Sequence, residues 1–189
     1  MRLYVKITII FSIILMIMHY RKYKKTADGY EIQQQELDYI DGNELYNQLN
    51  PLIITFIEEG TLKKNVESYN LNSIMSMNKK FNMYNTNQDY LSHHGEILMI
   101  RTMKKQVIEL IHPKFINQFK KINRKDTLVN HYKLPKQNNS KVQSIDIVLR
   151  EYNILSIPRH WLFKFSEPNK SIEIYQTHNI FSKIFSILH

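Results

Sequence analysis

The sequence predicts a mainly β domain with short helices, preceded by an N-terminal transmembrane helix. Two observations lead to this fold class. A long apolar segment lies close to the N-terminus, and the rest of the chain has many short apolar or alternating segments separated by turn residues. The 189 residues are enough for one domain with a hydrophobic core. Cysteine is absent, which excludes disulfides and thiolate metal ligands.

The apolar segment at residues 3–20 has the length of a membrane-spanning helix. As a helix it would extend for ~27 Å at ~1.5 Å per residue, close to the ~30 Å hydrocarbon core of a bilayer. Its centre is interrupted only by Thr8 and Ser12, whose hydroxyls can bond to the helix backbone. A cleaved signal peptide is the alternative, but basic residues follow instead of a small-residue cleavage site. We therefore predict a retained single-pass anchor that, with its basic flank, covers residues 1–25.

The net charge of +9 is concentrated beside this anchor. Residues 1–25 hold six basic residues and no acid, whereas the remainder holds 20 basic and 17 acidic residues. This distribution favours an anionic membrane over nucleic acid as the partner of the positive charge. More basic residues follow the helix than precede it, so the positive-inside rule predicts a cytoplasmic C-terminal domain. The residues that follow the helix and flank the membrane are Arg21, Lys22, Lys24 and Lys25.

The rest of the chain reads as a polar linker at residues 26–47 and one domain at residues 48–189. Short helices are predicted at 61–70 and 114–125, and loops at 71–88 and 126–143. Gly95 is expected to form a turn or hairpin between two strands. Strands are expected at 51–58, on both sides of Gly95, at 105–113, at 144–149, from 154 onward, and in two or three segments after 160. Many short strands with few helices favour a β-sandwich or barrel.

Four segments occur in an order and spacing that resemble a known family. They read "PLIITF", "TLKKNVESY", "KKQVIELIHPKF" and "REYNILSIPRHWLFKF". Together they resemble the cupin-like domains of the JmjC type, over roughly residues 48–185. The residues that match the family signature are Pro51, Pro113, Pro158, Trp161 and Phe163. The resemblance implies a double-stranded β-helix, also called a jelly roll. With the anchor and the abundance of residues that have AT-rich codons, the chain is similar to the membrane-anchored cupin-like proteins of large DNA viruses.

The resemblance also implies where a metal site would lie. Enzymes of the family bind Fe(II) through an H-x-D/E motif and a distal histidine, and they use 2-oxoglutarate. The distal position corresponds to Phe163, which cannot bind a metal, and the first motif falls near residues 91–93. A displaced H-x-E motif is present at His94 and Glu96, which suits either metal ligands or a solvated turn. Lys104 and Lys105 lie near the family's oxoglutarate-binding lysine, although a charged strand end explains them equally well.

Three functional hypotheses follow from the sequence. The first is a non-catalytic, membrane-anchored structural or interaction module with no cofactor. The second is an Fe(II)/2-oxoglutarate oxygenase with an atypical site built from His93 or His94, Glu96, and His160 or His178. The third is a module that binds anionic lipid, or less plausibly nucleic acid, through the basic residues of segment 101–125. No sequence motif identifies a protein partner, and the fold alone does not decide among the three functional hypotheses.

Overall fold

A computed structural model describes residues 2–36, 45, 47–55, 89–93, 95–122, 129–135, 142–151, 153–166 and 172–177. Within them lie one long N-terminal helix and eleven strands in two sheets, so the expectation of a mainly β protein behind an apolar helix is confirmed. The helix α1 is Arg2–Lys24, and a 3-10 helix occupies Pro113–Gln118. The strands are β1 Gln33–Glu36, β2 Leu52–Thr55, β3 Tyr90–His93, β4 Ile97–Thr102, β5 Gln106–Ile111, β6 Lys120–Ile122, β7 Val129–Lys133, β8 Ser144–Leu149, β9 Ile154–Pro158, β10 Leu162–Phe165 and β11 Ile172–Gln176.

The helix α1 exposes its apolar side chains on all sides. Within it, the stretch Leu3–Lys24 is long and apolar enough to cross a membrane, and none of the apolar window is buried against the protein. As expected, the two hydroxyls in its centre bond to the helix backbone: Thr8 donates to the Tyr4 carbonyl and Ser12 to the Thr8 carbonyl, both at 2.9 Å. These bonds satisfy the polar groups without a partner outside the helix.

The two sheets are built almost entirely from antiparallel strand pairs. The five-stranded sheet has the order β1-β2-β9-β4-β11, and the six-stranded sheet has the order β6-β7-β3-β10-β5-β8. Only β1 and β2 run parallel among the described pairs. Strands β2, β5, β8 and β9 occupy the positions that the sequence predicted for them, and β5 shows the expected alternation of buried and half-buried residues.

The turn at Gly95 connects two strands that belong to different sheets. The predicted strands on its two sides are present, but the hairpin is wrong because β3 pairs with β7 and β10 whereas β4 pairs with β9 and β11. The next residue, Glu96, donates its backbone N–H to the Thr177 carbonyl at 2.9 Å. A Cβ at position 95 would collide with that same carbonyl, which explains why glycine occupies the turn.

The core lies between the sheets and is filled by aliphatic and aromatic side chains. Trp161 and Phe163 are fully buried there, so the interpretation of both as residues that fill the β domain is consistent with the packing. The Trp161 indole N–H donates to the Leu49 carbonyl at 2.9 Å, which satisfies its polar atom. The side chains of the described core cluster close the space between the sheets and leave Trp161 no solvent contact.

Three segments differ from the sequence-based expectation. The polar segment interpreted as a linker contributes β1, and Tyr30 and Ile32 pack on the core. The helix predicted at 114–125 is a 3-10 helix that ends at Gln118 and continues into β6, since Phe115 and Phe119 pack against a satellite cluster rather than along one helix face. Part of the loop predicted at 126–143 is the strand β7. The helix predicted at 61–70 and the loop at 71–88 lie outside the described residues.

Candidate functional site

The end of α1 contacts the turn between β9 and β10. The Nε2 atom of His160 lies 2.7 Å from the backbone carbonyl oxygen of Tyr23. A carbonyl only accepts, so Nε2 carries the proton and donates. The carbonyls in the last turn of a helix have no partner within the helix, and this bond satisfies one of them. His160 is the only described non-glycine residue with a positive φ, 72°, and that backbone conformation orients its ring toward the helix.

The same turn holds the Tyr23 ring from two sides. The ring meets the imidazole of His160 edge-on with a centroid separation of 5.2 Å, and the Arg159 guanidinium carbon lies 5.1 Å from the ring centroid. Tyr23 is consequently buried even though residues 3–18 of the helix are exposed. A cation over an aromatic face and an edge-on ring pair are both attractive geometries. These contacts join the helix to the β domain, and we call Tyr23, Arg159, His160 and Glu96 the junction cluster.

Glu96 belongs to this cluster through Arg159. Its carboxylate oxygen lies 3.7 Å from an Arg159 guanidinium nitrogen, and both side chains are mostly buried. Burial lowers the pKa of Arg159, and the nearby Glu96 carboxylate opposes that shift. The interpretation of Glu96 as part of a solvated turn is therefore wrong, because its carboxylate is paired with a half-buried cation. The structure assigns Glu96 and His160 to the junction, where Arg159 and the Tyr23 carbonyl respectively are their partners.

Of the residues named for an atypical metal site, the structure describes His93, Glu96 and His160, and these three do not form a ligand set. Among the residues that the structure describes, no group of three or more histidines and acids is arranged to hold a metal ion. His94 and His178 lie outside the described residues. His93 is buried at the end of β3, and His160 is engaged with the helix. Lys104 and Lys105 are exposed at the turn between β4 and β5, as expected for a charged strand end.

Two of the positions that the family resemblance links to metal binding are neighbours on adjacent strands of the six-stranded sheet. Leu91 of β3 is the register partner of Phe163 of β10, and each has 0% relative exposure. Both belong to the apolar core cluster. Neither side chain carries an atom that can bind Fe(II), which leaves His93 as the one metal-binding side chain among positions 91, 93 and 163, too few for a facial triad.

A cavity of about 560 Å³ opens beside the junction cluster. One wall is a stripe of polar side chains across three neighbouring strands, because Ser92 of β3 is opposite Asn130 of β7 and Tyr132 of β7 is opposite Lys121 of β6. The end of α1 and the 3-10 helix supply further lining residues. None of the described residues that line it is acidic.

His93 is the most deeply buried titratable residue of this cavity. Burial lowers its pKa from the usual 6.5 to about 3, and the carbonyls of Pro158 and Ile157 oppose the shift only in part. The ring lies beside those two carbonyls, and neither nitrogen reaches full hydrogen-bonding geometry with a described residue. The side chain is 4% exposed and points to the same face of β3 as Leu91, opposite to Ser92, so it does not belong to the polar wall.

The basic segment 101–125 does not form one continuous free surface. Arg101 lies 3.8 Å from the Glu173 carboxylate, and the Lys114 ammonium lies 4.6 Å from the Tyr30 ring centroid. Lys120 and Lys121 are exposed on β6, and of these two only Lys121 lines the cavity. A second buried polar pair is formed by Asp89, which precedes β3, and His131 of β7, whose Nδ1 atom lies 3.5 Å from the Asp89 carboxylate. The described basic residues of the segment are therefore divided among intramolecular contacts, the cavity and the open surface, where Lys104, Lys105 and Lys120 lie.

Sequence reasoning missed the role of Tyr23 and Arg159. The hydrogen bond between residues 23 and 160 spans 137 positions of the chain, and no local pattern links the two. The available signal was weak: an arginine and a histidine that follow Pro158 in a turn, and a tyrosine among the basic residues at the end of an apolar helix.

No protein-family model matches the chain, and no curated protein matches it significantly.

Proposed function

We propose that the protein is a non-catalytic, membrane-anchored jelly-roll module of the cupin-like kind found in large DNA viruses, acting as a structural or interaction component at a membrane. The observation that carries this proposal is the pairing of Leu91 with Phe163 in the buried core. Of the positions that the resemblance links to Fe(II), 91 and 163 carry apolar side chains, and His93 alone could bind a metal. A double-stranded β-helix that lacks these ligands keeps the fold of the family but cannot form the Fe(II)-binding triad.

The order of the strands supports the jelly-roll part of the proposal. From β3 to β5 and again from β8 to β11, each strand lies in the sheet opposite to that of the preceding strand. In between, β5 and β8 pair antiparallel in the six-stranded sheet, with β6 and β7 as an addition at its edge. Alternation between two antiparallel sheets around one such pair is the connectivity of a jelly roll.

The membrane part of the proposal rests on α1 and on the junction cluster. The helix is long enough to cross a bilayer, and its last turn is fixed to the β domain by His160 and Arg159. A domain held in this way would stay close to the membrane surface. The basic residues that follow the apolar segment favour a cytoplasmic domain.

Glycosylation tests the orientation. Two N-x-S triplets begin at Asn138 and Asn169. In a eukaryotic cell a cytoplasmic domain leaves both unmodified, so endoglycosidase treatment will not change the mobility of the full chain. A mobility shift that disappears in the Asn138→Gln/Asn169→Gln variant would contradict the cytoplasmic orientation.

Metal and oxoglutarate binding test the non-catalytic assignment. The full chain in an uncharged detergent is incubated anaerobically with Fe(II) and 2-oxoglutarate, and bound iron and bound oxoglutarate are measured after gel filtration. We expect neither to be retained in stoichiometric amounts. Stoichiometric iron that is lost in Glu96→Gln and His94→Ala, but kept in a surface variant such as Lys120→Gln, would establish the oxygenase alternative instead.

A further inference from the structure

The cavity beside the junction cluster has the composition of an anion site. Two lysines, Lys24 at the end of α1 and Lys121 on β6, are among its lining residues, and the Lys24 ammonium lies 4.8 Å from the Tyr20 ring centroid. Among the described residues that line the cavity, none carries a carboxylate. Its volume of about 560 Å³ is within the ~300–1,000 Å³ that is typical of small-molecule pockets.

The polar wall of the cavity is held by the sheet rather than by loops. Ser92 and Asn130 are register partners, as are Tyr132 and Lys121, so their side chains lie on one face of three adjacent strands. Burial raises the pKa of Tyr132, which keeps its phenol protonated as a hydrogen-bond donor. Hydroxyl, amide and phenol donors together with ammonium groups are the groups that bind phosphate oxygens.

His93 does not belong to this polar wall. It follows Ser92 on β3, so its side chain points to the opposite face of the sheet, the face that Leu91 shares with Phe163. The carbonyls of Pro158 and Ile157 lie beside its ring.

The position of the cavity indicates which phosphate it would meet. Tyr23 and Lys24, in the last turn of α1, are among its lining residues. A helix of 23 residues is roughly 34 Å long at ~1.5 Å per residue, slightly more than the ~30 Å hydrocarbon core. If α1 spans the membrane, its last turn emerges at the level of the lipid headgroups.

We propose that this cavity binds the phosphate of an anionic phospholipid headgroup, with Lys121 and Lys24 as cationic partners and Ser92, Asn130 and Tyr132 as hydrogen-bonding groups. The lipid as the source of the phosphate rests on the proposed membrane anchoring. The cavity would make the β domain selective for the anionic lipids of the membrane in which α1 is embedded. Binding at this site is independent of whether the core binds iron.

Native mass spectrometry of the full chain tests the site. The chain in uncharged detergent is titrated with phosphatidic acid in the same detergent, and the fraction that retains one lipid gives an apparent affinity. We expect retention of phosphatidic acid in preference to phosphatidylcholine. Lys121→Gln should weaken binding about tenfold, the effect of a lost charged hydrogen bond. Lys120→Gln is the matched control, because Lys120 is the adjacent exposed lysine of β6 and does not line the cavity.

A second pair of variants keeps the test independent of folding defects. Lys24→Gln should weaken binding, whereas Lys22→Gln at the same helix end should change it by less than about twofold, since Lys22 does not line the cavity. Tyr132→Phe should weaken binding as well, and its unfolding curve shows whether the fold is retained.

Three results would overturn the proposed site. They are equal retention of phosphatidylcholine, equal losses in Lys120→Gln and Lys121→Gln, and displacement of the lipid by a single-stranded oligonucleotide with higher affinity. Displacement by an equimolar amount of inorganic phosphate would support the anion site and overturn the lipid as its source. Because none of these measurements involves iron, they fail or succeed separately from the metal-binding test.

Discussion

The contact between Tyr23 and His160 makes a quantitative prediction about the join between the helix and the β domain. His160→Ala removes the hydrogen bond to the Tyr23 carbonyl, worth ~0.5–1.5 kcal/mol. It also removes the edge-on ring contact, worth a further ~0.5–1.5 kcal/mol. Alanine and histidine both have a Cβ at the positive φ, so backbone strain is similar in the two chains. We therefore expect the free energy of unfolding to fall by roughly 1–3 kcal/mol.

A double-mutant cycle with Tyr23→Ala separates the two parts of this loss. Tyr23→Ala keeps the backbone carbonyl that His160 bonds, so the coupling energy reports the ring contact alone, and we expect about 0.5–1.5 kcal/mol. The assay is denaturant unfolding of the full chain in detergent, followed by the fluorescence of Trp161, the single tryptophan of the chain. Tyr4, which is 76% exposed on the same helix, supplies the matched control pair with zero expected coupling. A Tyr23–His160 coupling within about 0.3 kcal/mol of zero would refute the docking of the helix on the turn.

Two further predictions concern the turn after β3 and the cavity. Gly95→Ala should destabilise the domain by about 1–3 kcal/mol because its Cβ would meet the Thr177 carbonyl. Gly29→Ala, where a Cβ would meet nothing within 4 Å, should be close to neutral in the same unfolding assay. The pKa of His93 is about 3 in the folded chain against 6.5 when unfolded, so the unfolded chain binds the proton first as pH falls. Its contribution is fully present above about pH 6.5 and is lost as pH falls toward 3. Stability should therefore drop by about 2 kcal/mol between pH 7.5 and 5, and less in His93→Gln; a flat profile would contradict the buried, neutral imidazole.

The parts of the fold that the sequence predicted correctly are those governed by local pattern. The apolar segment that contains Thr8 and Ser12 forms a helix because its length and composition permit little else. Strands β5 and β8 were predicted because alternation of apolar and polar residues is a local signal. Proline residues marked their ends correctly, as at Pro113, which begins the 3-10 helix.

The errors in the fold came from segments whose structure depends on distant partners. The four residues of β1, three of them glutamine, have low strand propensity, and their pairing with β2 stabilises the strand. Strand β7 is polar in sequence because part of it faces the cavity, yet it pairs with β3 and β6. The sequence predicted a hairpin at Gly95 because two strands flank this residue. It does not reveal that the two strands belong to different sheets.

Only part of the candidate site could be predicted from the sequence. The sequence showed that position 163 has no metal-binding side chain, and Phe163 is packed in the core. The roles of Glu96 and His160 could not be read from the sequence, because each depends on a residue far away in the chain: Arg159 for the carboxylate and Tyr23 for the imidazole. The glutamate of the H-x-E motif, which suggested a metal ligand, instead forms an ion pair in the junction cluster. The sequence motif alone does not distinguish a metal ligand from a member of an ion pair.

The absence of cysteine permits a direct test of the claim that the β domain is fixed at the end of α1. Single cysteines at Asn117, an exposed residue that lines the cavity, and at Lys104, in the exposed turn between β4 and β5, are labelled with a donor fluorophore. The full chain is then placed in nanodiscs that contain an acceptor lipid. We predict markedly higher energy transfer from position 117 than from position 104, with the difference reduced when His160→Ala and Arg159→Ala are combined. Equal transfer from both positions in the unsubstituted background would contradict a β domain that is fixed with its cavity toward the membrane.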